Sequence, residues 1–204
     1  MPLTVDSMRA AIIAIDAALR TQAERLNELD GNVGDGDLGV TLEKAFRVLA
    51  DNSANLRPEL GPAMQQAAAD VAKVSSSSFG TLLASSLLAA GKRAGNRKDV
   101  PWPEVGEFLQ AALDKMRERG GAAIGDKTVL DAVNAAIVAV SDKREPAVML
   151  VAARENVATA LKDLRNQPNR MGRARVYGER SIGADDPGMV AFQVMLEALP
   201  EPLR

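Results

Sequence analysis

The 204-residue chain contains no histidine and no cysteine, and its aromatics amount to one Trp, one Tyr and four Phe. Without imidazole or thiolate there can be no His general base, imidazole-ligated metal, disulfide or Cys nucleophile. Chemistry falls to carboxylates, Lys, Arg, hydroxyls and backbone amides. So few rings leave little on which to stack nucleobases, and a formal net charge of −2 supplies no global field toward nucleic acid or an anionic membrane. No uninterrupted apolar run is long enough to span a bilayer, and Met1-Pro2-Leu3-Thr4-Val5-Asp6 lacks the basic and apolar regions of a signal peptide. The expectation is a cytoplasmic protein with one domain over residues 1–204, and no nucleic-acid or membrane partner.

What is abundant is Ala, Leu and Val, which suits closely packed helices better than sheets. Helical spacing of apolar residues predicts helices over about 4–28, 38–51, 62–73, 79–92, 101–119, 126–140 and 146–165, with a last one opened by Asp186-Pro187-Gly188 and ending near Leu199. Residues 168–182 read as a basic, glycine-punctuated loop. Eight helices on short connections and no convincing strand predict an all-α, antiparallel up-and-down array. In such an array, glycine-rich connections separated by whole helices gather at one end.

The most informative connection is Asp30-Gly31-Asn32-Val33-Gly34-Asp35-Gly36-Asp37, three carboxylates with no Lys or Arg among them. Asp and Gly are ordinary turn residues, so a solvated loop is the plain alternative. Carboxylates held ~5 Å apart would repel by roughly 3 kcal/mol per pair at an effective dielectric of 20, which calls for a cation. An EF-hand starting at Asp30 fails, because its sixth and twelfth places hold Asp35 and Thr41 where Gly and Glu are required. Gly34 to Gly39 matches G-x-G-x-x-G, but it follows a helix and sets carboxylates where a dinucleotide's pyrophosphate would lie. Mg²⁺ fits better: a few carboxylates hold it, and water and phosphate oxygens complete its shell, so Asp30, Asp35 and Asp37 could seat one or two ions against a nucleotide's phosphates.

Two further motifs suit anions. Gly120 to Thr128 misses the P-loop pattern by the inserted Asp126 and follows a helix instead of a strand; Asp126 reads as a helix cap, with Lys127 and Thr128 exposed at a helix start. Arg170, Arg173, Arg175 and Arg180 share a loop with Gly172, Gly178 and Gly183, and Arg is well matched to bidentate contacts with phosphate. Ser75 to Ser78 reads as a helix cap.

Three ordered blocks, Leu26 to Thr41, Gly125 to Asp131 and Gly172 to Gly188, resemble the L-type, nucleotide-binding subunit of dihydroxyacetone kinases over nearly the full length. The resemblance implies an eight-helix α-barrel with a nucleotide at one end and two Mg²⁺ on Asp30, Asp35 and Asp37. It implies nucleotide contacts at Leu38, Gly39, Val40, Thr41, Phe79, Gly80, Gly121, Val129, Arg180, Asp186, Pro187 and Gly188. Arg180 and Lys127 are expected to stabilise phosphate charge. The sugar, a short ketose, is implied to sit on a separate K-type subunit. Two donor modes stay open: exchangeable ATP, or retained ADP rephosphorylated by a phosphotransferase-system donor subunit. A homodimer is an allowed assembly. The chain departs from the family at Ser76-Ser77-Ser78-Phe79-Gly80, where G-G-[ST]-S-G is usual, at Leu38 in place of His, and at Val129 in place of Met. A noncatalytic helical module for lipid or a partner helix, its nucleotide site degraded, is the competing reading.

Overall fold

The computed structural model describes residues 1–201. Eight α-helices dominate: α1 Val5–Val33, α2 Leu38–Asn52, α3 Leu60–Val74, α4 Ser78–Ala94, α5 Val105–Gly120, α6 Val129–Val140, α7 Pro146–Arg165 and α8 Pro187–Glu197. Consecutive helices pack as antiparallel neighbours, and α8 returns to α1 while also packing on α6 and α7, which closes the barrel. The expected all-α architecture is what forms. Where no strand was expected, β1 (Leu3–Thr4) pairs with β2 (Asp99–Val100), a two-residue ladder that ties the N-terminus to the α4–α5 connection.

Local chemistry explains the helix starts. Thr4 and Ser7 form a reciprocal capping box on α1, Ser77 accepts from the Gly80 amide, and Asp186 caps α8 ahead of Pro187. The sixth helix begins at Val129 and is capped by Thr128 with Asp131, so Asp126 is not its cap; Asp126 instead accepts from the Ala123 amide in a turn of its own. The first helix also runs past its expected end, because Asp30 to Val33 continue the helical ladder. The basic loop is largely 3₁₀-helical over Arg173–Ser181 and kinks at Gly178.

One buried apolar cluster draws on all eight helices, with Leu19, Leu26, Leu42 and Leu60 fully enclosed. Each such Leu contributes about 1.5–3 kcal/mol through burial. No helix among the described residues is long and apolar enough to cross a membrane.

Where α1 and α2 cross, Gly39 lies against the α1 backbone, and a Cβ there would stand 1.9 Å from the Ala23 carbonyl oxygen. The obstacle is main chain, so it cannot swing aside. Gly39→Ala is therefore expected to force the pair apart and cost about 1–3 kcal/mol, read as a lowered urea midpoint with unchanged slope.

Candidate functional site

The alternation of helix directions brings the C-termini of α1, α3, α5 and α7 and the N-termini of α2, α4, α6 and α8 to one end of the barrel. A cleft of about 820 Å³ opens there, and all four of those N-terminal turns line it through Leu38, Ser78, Val129 and Pro187. Each N-terminus carries roughly half a positive charge, so four together make a field that attracts anions.

At the mouth stand Asp30, Asp35 and Asp37, each offering a carboxylate oxygen within 4.8 Å of the others. Asp30 projects from the last turn of α1, and its Oδ2 accepts from the amides of Gly36 (2.9 Å) and Asp37 (3.1 Å), which folds the connection back over the helix end. Partial burial pushes the Asp30 carboxyl above its ordinary range; the two amides oppose this, and the Asp35 charge adds to it. The oxygen-only, carboxylate-rich donor set fits a hard divalent ion such as Mg²⁺. Arg173 forms an ion pair with Asp35 from across the cleft.

Of the residues expected to contact nucleotide, Leu38, Thr41, Phe79, Val129, Asp186, Pro187 and Gly188 line the cleft. The Phe79 ring packs against Gly188, where an added Cβ would lie 3.5 Å from it and 3.3 Å from the Val129 Cβ, and the three form an apolar wall. Gly39, Val40, Gly80 and Gly121 are not on the lining. The amides of Gly39 and Val40 are already held by Asn27 Oδ1 from α1, at 2.8 and 3.2 Å. Gly80 is packed beneath Ser75, and Gly121 ends α5 in the left-handed region (φ 70°) that a glycine adopts without strain.

Both expected phosphate-stabilising side chains are placed elsewhere. Lys127, expected exposed, is 1% accessible, and its ammonium donates to the carbonyls of Gln167 (2.8 Å), Ser181 (3.0 Å) and Arg165 (3.2 Å). Burial pulls its pKa down, while the Asp186 and Asp185 charges oppose that. Three main-chain acceptors satisfy all its donors, so nothing remains for a phosphate. It staples the end of α7 to the loop before α8. Arg180 is exposed, lies off the cleft lining and sits over the Tyr177 ring.

Thr128, read from the sequence as exposed at an anion-attracting helix start, does line the cleft, whereas Lys115, Glu118 and Arg119 on α5 and Met171 were not singled out. Helical spacing aligns Lys115, Glu118 and Arg119 on one face of α5, yet nothing local distinguishes that face from a solvated one. Asn169, also unforeseen, is buried and donates to the Lys127 carbonyl (2.8 Å) and to Asp186 Oδ2 (2.9 Å). Asp186 Oδ1 accepts from the Met189 amide, and burial pushes the Asp186 carboxyl up to about 7.

Fold and site together define an all-helical domain with a cleft ringed by four helix N-termini and a carboxylate triad suited to a divalent ion. The chain belongs to the DAK2 domain family, whose model matches residues 32–201. An L-erythrulose 1-kinase of Mycolicibacterium smegmatis is 33% identical over an alignment of 191 positions that covers 87% of this chain and 32% of that protein. The ADP-binding subunit of a PEP-dependent dihydroxyacetone kinase of Escherichia coli is 26% identical over 88% of each chain. The solved dihydroxyacetone kinase from C. freundii in complex with AMP-PNP and Mg²⁺ superimposes with a TM-score of 0.77 at 25% identity, over 98% of this chain and 34% of that one. The chain thus spans about a third of the erythrulose kinase and of the C. freundii enzyme.

Removing the Lys127 charge while leaving its carbonyl partners buried should cost about 3 kcal/mol, so Lys127→Met is expected to melt well below wild type. A second test concerns Asp186. Its folded-state pKa of about 7 lies above the ordinary 3.8, so the folded state binds the extra proton between those values and stability falls as pH rises through that window. Relative to Asp186→Asn, which cannot ionise, the wild type should lose up to roughly 4 kcal/mol between pH 4 and pH 7, measured as diverging urea midpoints.

Proposed function

We propose that this chain is the nucleotide-binding part of a phosphotransferase acting on a short ketose, with ATP or ADP held at the helical end through one or two Mg²⁺ on Asp30, Asp35 and Asp37. The observation that carries this reading is the meeting of a carboxylate triad and four helix N-termini at one cleft. Neither feature alone selects a metal-bound polyphosphate; together they provide acceptors for the metal and a positive field for the phosphates. Names of relatives agree: an ADP-binding subunit, erythrulose kinases and a kinase bound to AMP-PNP and Mg²⁺.

The chain's own residues would act mainly by placement. Asp30 is fixed by two amides, so its oxygen is oriented before any ligand arrives. Phe79, Val129 and Gly188 offer an apolar wall to the base and sugar of the nucleotide. On the α5 side of the cleft Arg119 adds positive charge, while Lys115 is paired with Glu118. Divalent metal, when bound, neutralises phosphate charge and so lowers the cost of its build-up during transfer. Phosphoryl transfer through a loose transition state depends mostly on positioning and charge, so no general base is assigned on this chain. The ketose and the group that accepts its proton are assigned to a K-type partner. The donor is either exchangeable ATP or retained ADP recharged by a phosphotransferase-system subunit; the ADP-binding relatives from Escherichia coli and Lactococcus lactis are named as PEP-dependent and PTS-dependent.

Calorimetry with Mg-ADP and Mg-ATP tests the reading. At one hundred times its dissociation constant, a bound nucleotide should stabilise the fold by about 2.7 kcal/mol. Asp35→Asn should weaken Mg-nucleotide binding by about a hundredfold or more while the helical circular-dichroism signal is unchanged. No melting shift with either nucleotide would favour the noncatalytic module.

A further inference from the structure

We propose that Arg173 is an exchangeable counterion of the carboxylate triad, neutralising Asp35 until a divalent ion displaces it and then turning its guanidinium to the phosphates of the nucleotide that the ion brings. The proposal rests on the metal-binding reading of the triad.

Asp35 is the triad member that has a basic partner among the described residues, and that partner is Arg173. Arg173 also lines the cleft. The two side chains retain 61% and 44% of their accessibility, so the pair is exposed and open to competition. Asp30, by contrast, is fixed by backbone amides.

Two glycines bound the segment that carries Arg173. It lies between Gly172 (φ 67°) and Gly178 (φ 51°), both in the left-handed region, and a Cβ at either would meet no atom within 4 Å. Beyond these glycines the chain is pinned: the Arg170 amide donates to the Asp126 carbonyl, and the Ser181 carbonyl accepts from the Lys127 ammonium. Ala174, beside Arg173, is buried and the segment packs on α1, so the movement required is a swing of the long, exposed Arg173 side chain on a held backbone.

Charge then dictates the order. A divalent ion entering the triad attracts Asp35 more strongly than a monovalent guanidinium can, and it takes the same oxygen lone pairs. The released fork finds phosphate oxygens in the same cleft, and its planar donors match them bidentately.

The test measures Mn²⁺ binding by titration calorimetry and paramagnetic resonance, without nucleotide, in wild type, Arg173→Gln and Arg175→Gln. Arg175 removes the same charge from the same loop but does not line the cleft. Loss of an exposed competing ion pair should tighten Mn²⁺ about two- to fivefold in Arg173→Gln, with Arg175→Gln close to wild type. Mg-ADP affinity should move the opposite way, weakening about tenfold in Arg173→Gln, as expected for a lost charge-assisted contact. A tighter metal with a looser nucleotide is a signature that general unfolding cannot produce. Unchanged or weaker Mn²⁺ binding in Arg173→Gln overturns the exchange, as does an equal tightening in Arg175→Gln, which would mean a long-range field. Wild type that binds no Mn²⁺ with or without ADP removes the metal site itself, and the proposal with it.

Discussion

The close crossing of α1 and α2 is the constraint on which the site depends. Gly39 lets the two backbones touch at Ala23, and four residues, Gly34 to Asp37, are then enough to join the helices. That short connection brings Asp30, at the end of one helix, and Asp37, at the start of the next, to within reach of a common ion. Asn27 reinforces the arrangement by accepting from the Gly39 and Val40 amides in the first turn of α2, and the Asp37 side chain makes no cap bond. A bulkier residue at the crossing would widen the gap and spread the acids apart.

Behind this front runs a buried polar network that holds the opposite wall. Lys127, Asn169, Ser181 and Asp186 connect the start of α6, the end of α7 and the cap of α8 through main-chain and side-chain hydrogen bonds. The ammonium of Lys127 neutralises the negative end of α7 at a place where water is excluded. Each participant is satisfied, so the network specifies one arrangement of the loop in preference to a collapsed alternative.

Most of the fold was legible in the sequence because helical periodicity and capping residues are local signals. The errors are instructive. Asp30 to Val33 looked like turn because Asp, Gly and Asn favour turns, yet the Asp30 carboxylate bonds to amides six and seven residues ahead, an interaction that no local propensity registers. The acidic triad was visible because its members lie within eight residues; the cleft wall was partly visible through Phe79, Val129 and Asp186 to Gly188. Lys127 beside Thr128 suggested phosphate, but its partners lie 38 to 54 residues away and only the folded chain reveals them. Nor does the sequence separate the four arginines of one loop, of which Arg173 pairs with Asp35 while Arg180 lies over Tyr177.

Eight alternating helices are an even number, and parity has a practical meaning here. Met1, whose carbonyl accepts from Trp102, and the stretch after α8, gripped by Arg154, both lie at the barrel's base, remote from the acidic mouth. An affinity tag or fluorophore attached on the Met1 side therefore starts from the floor and leaves the entrance free for the partner that must bring its sugar there.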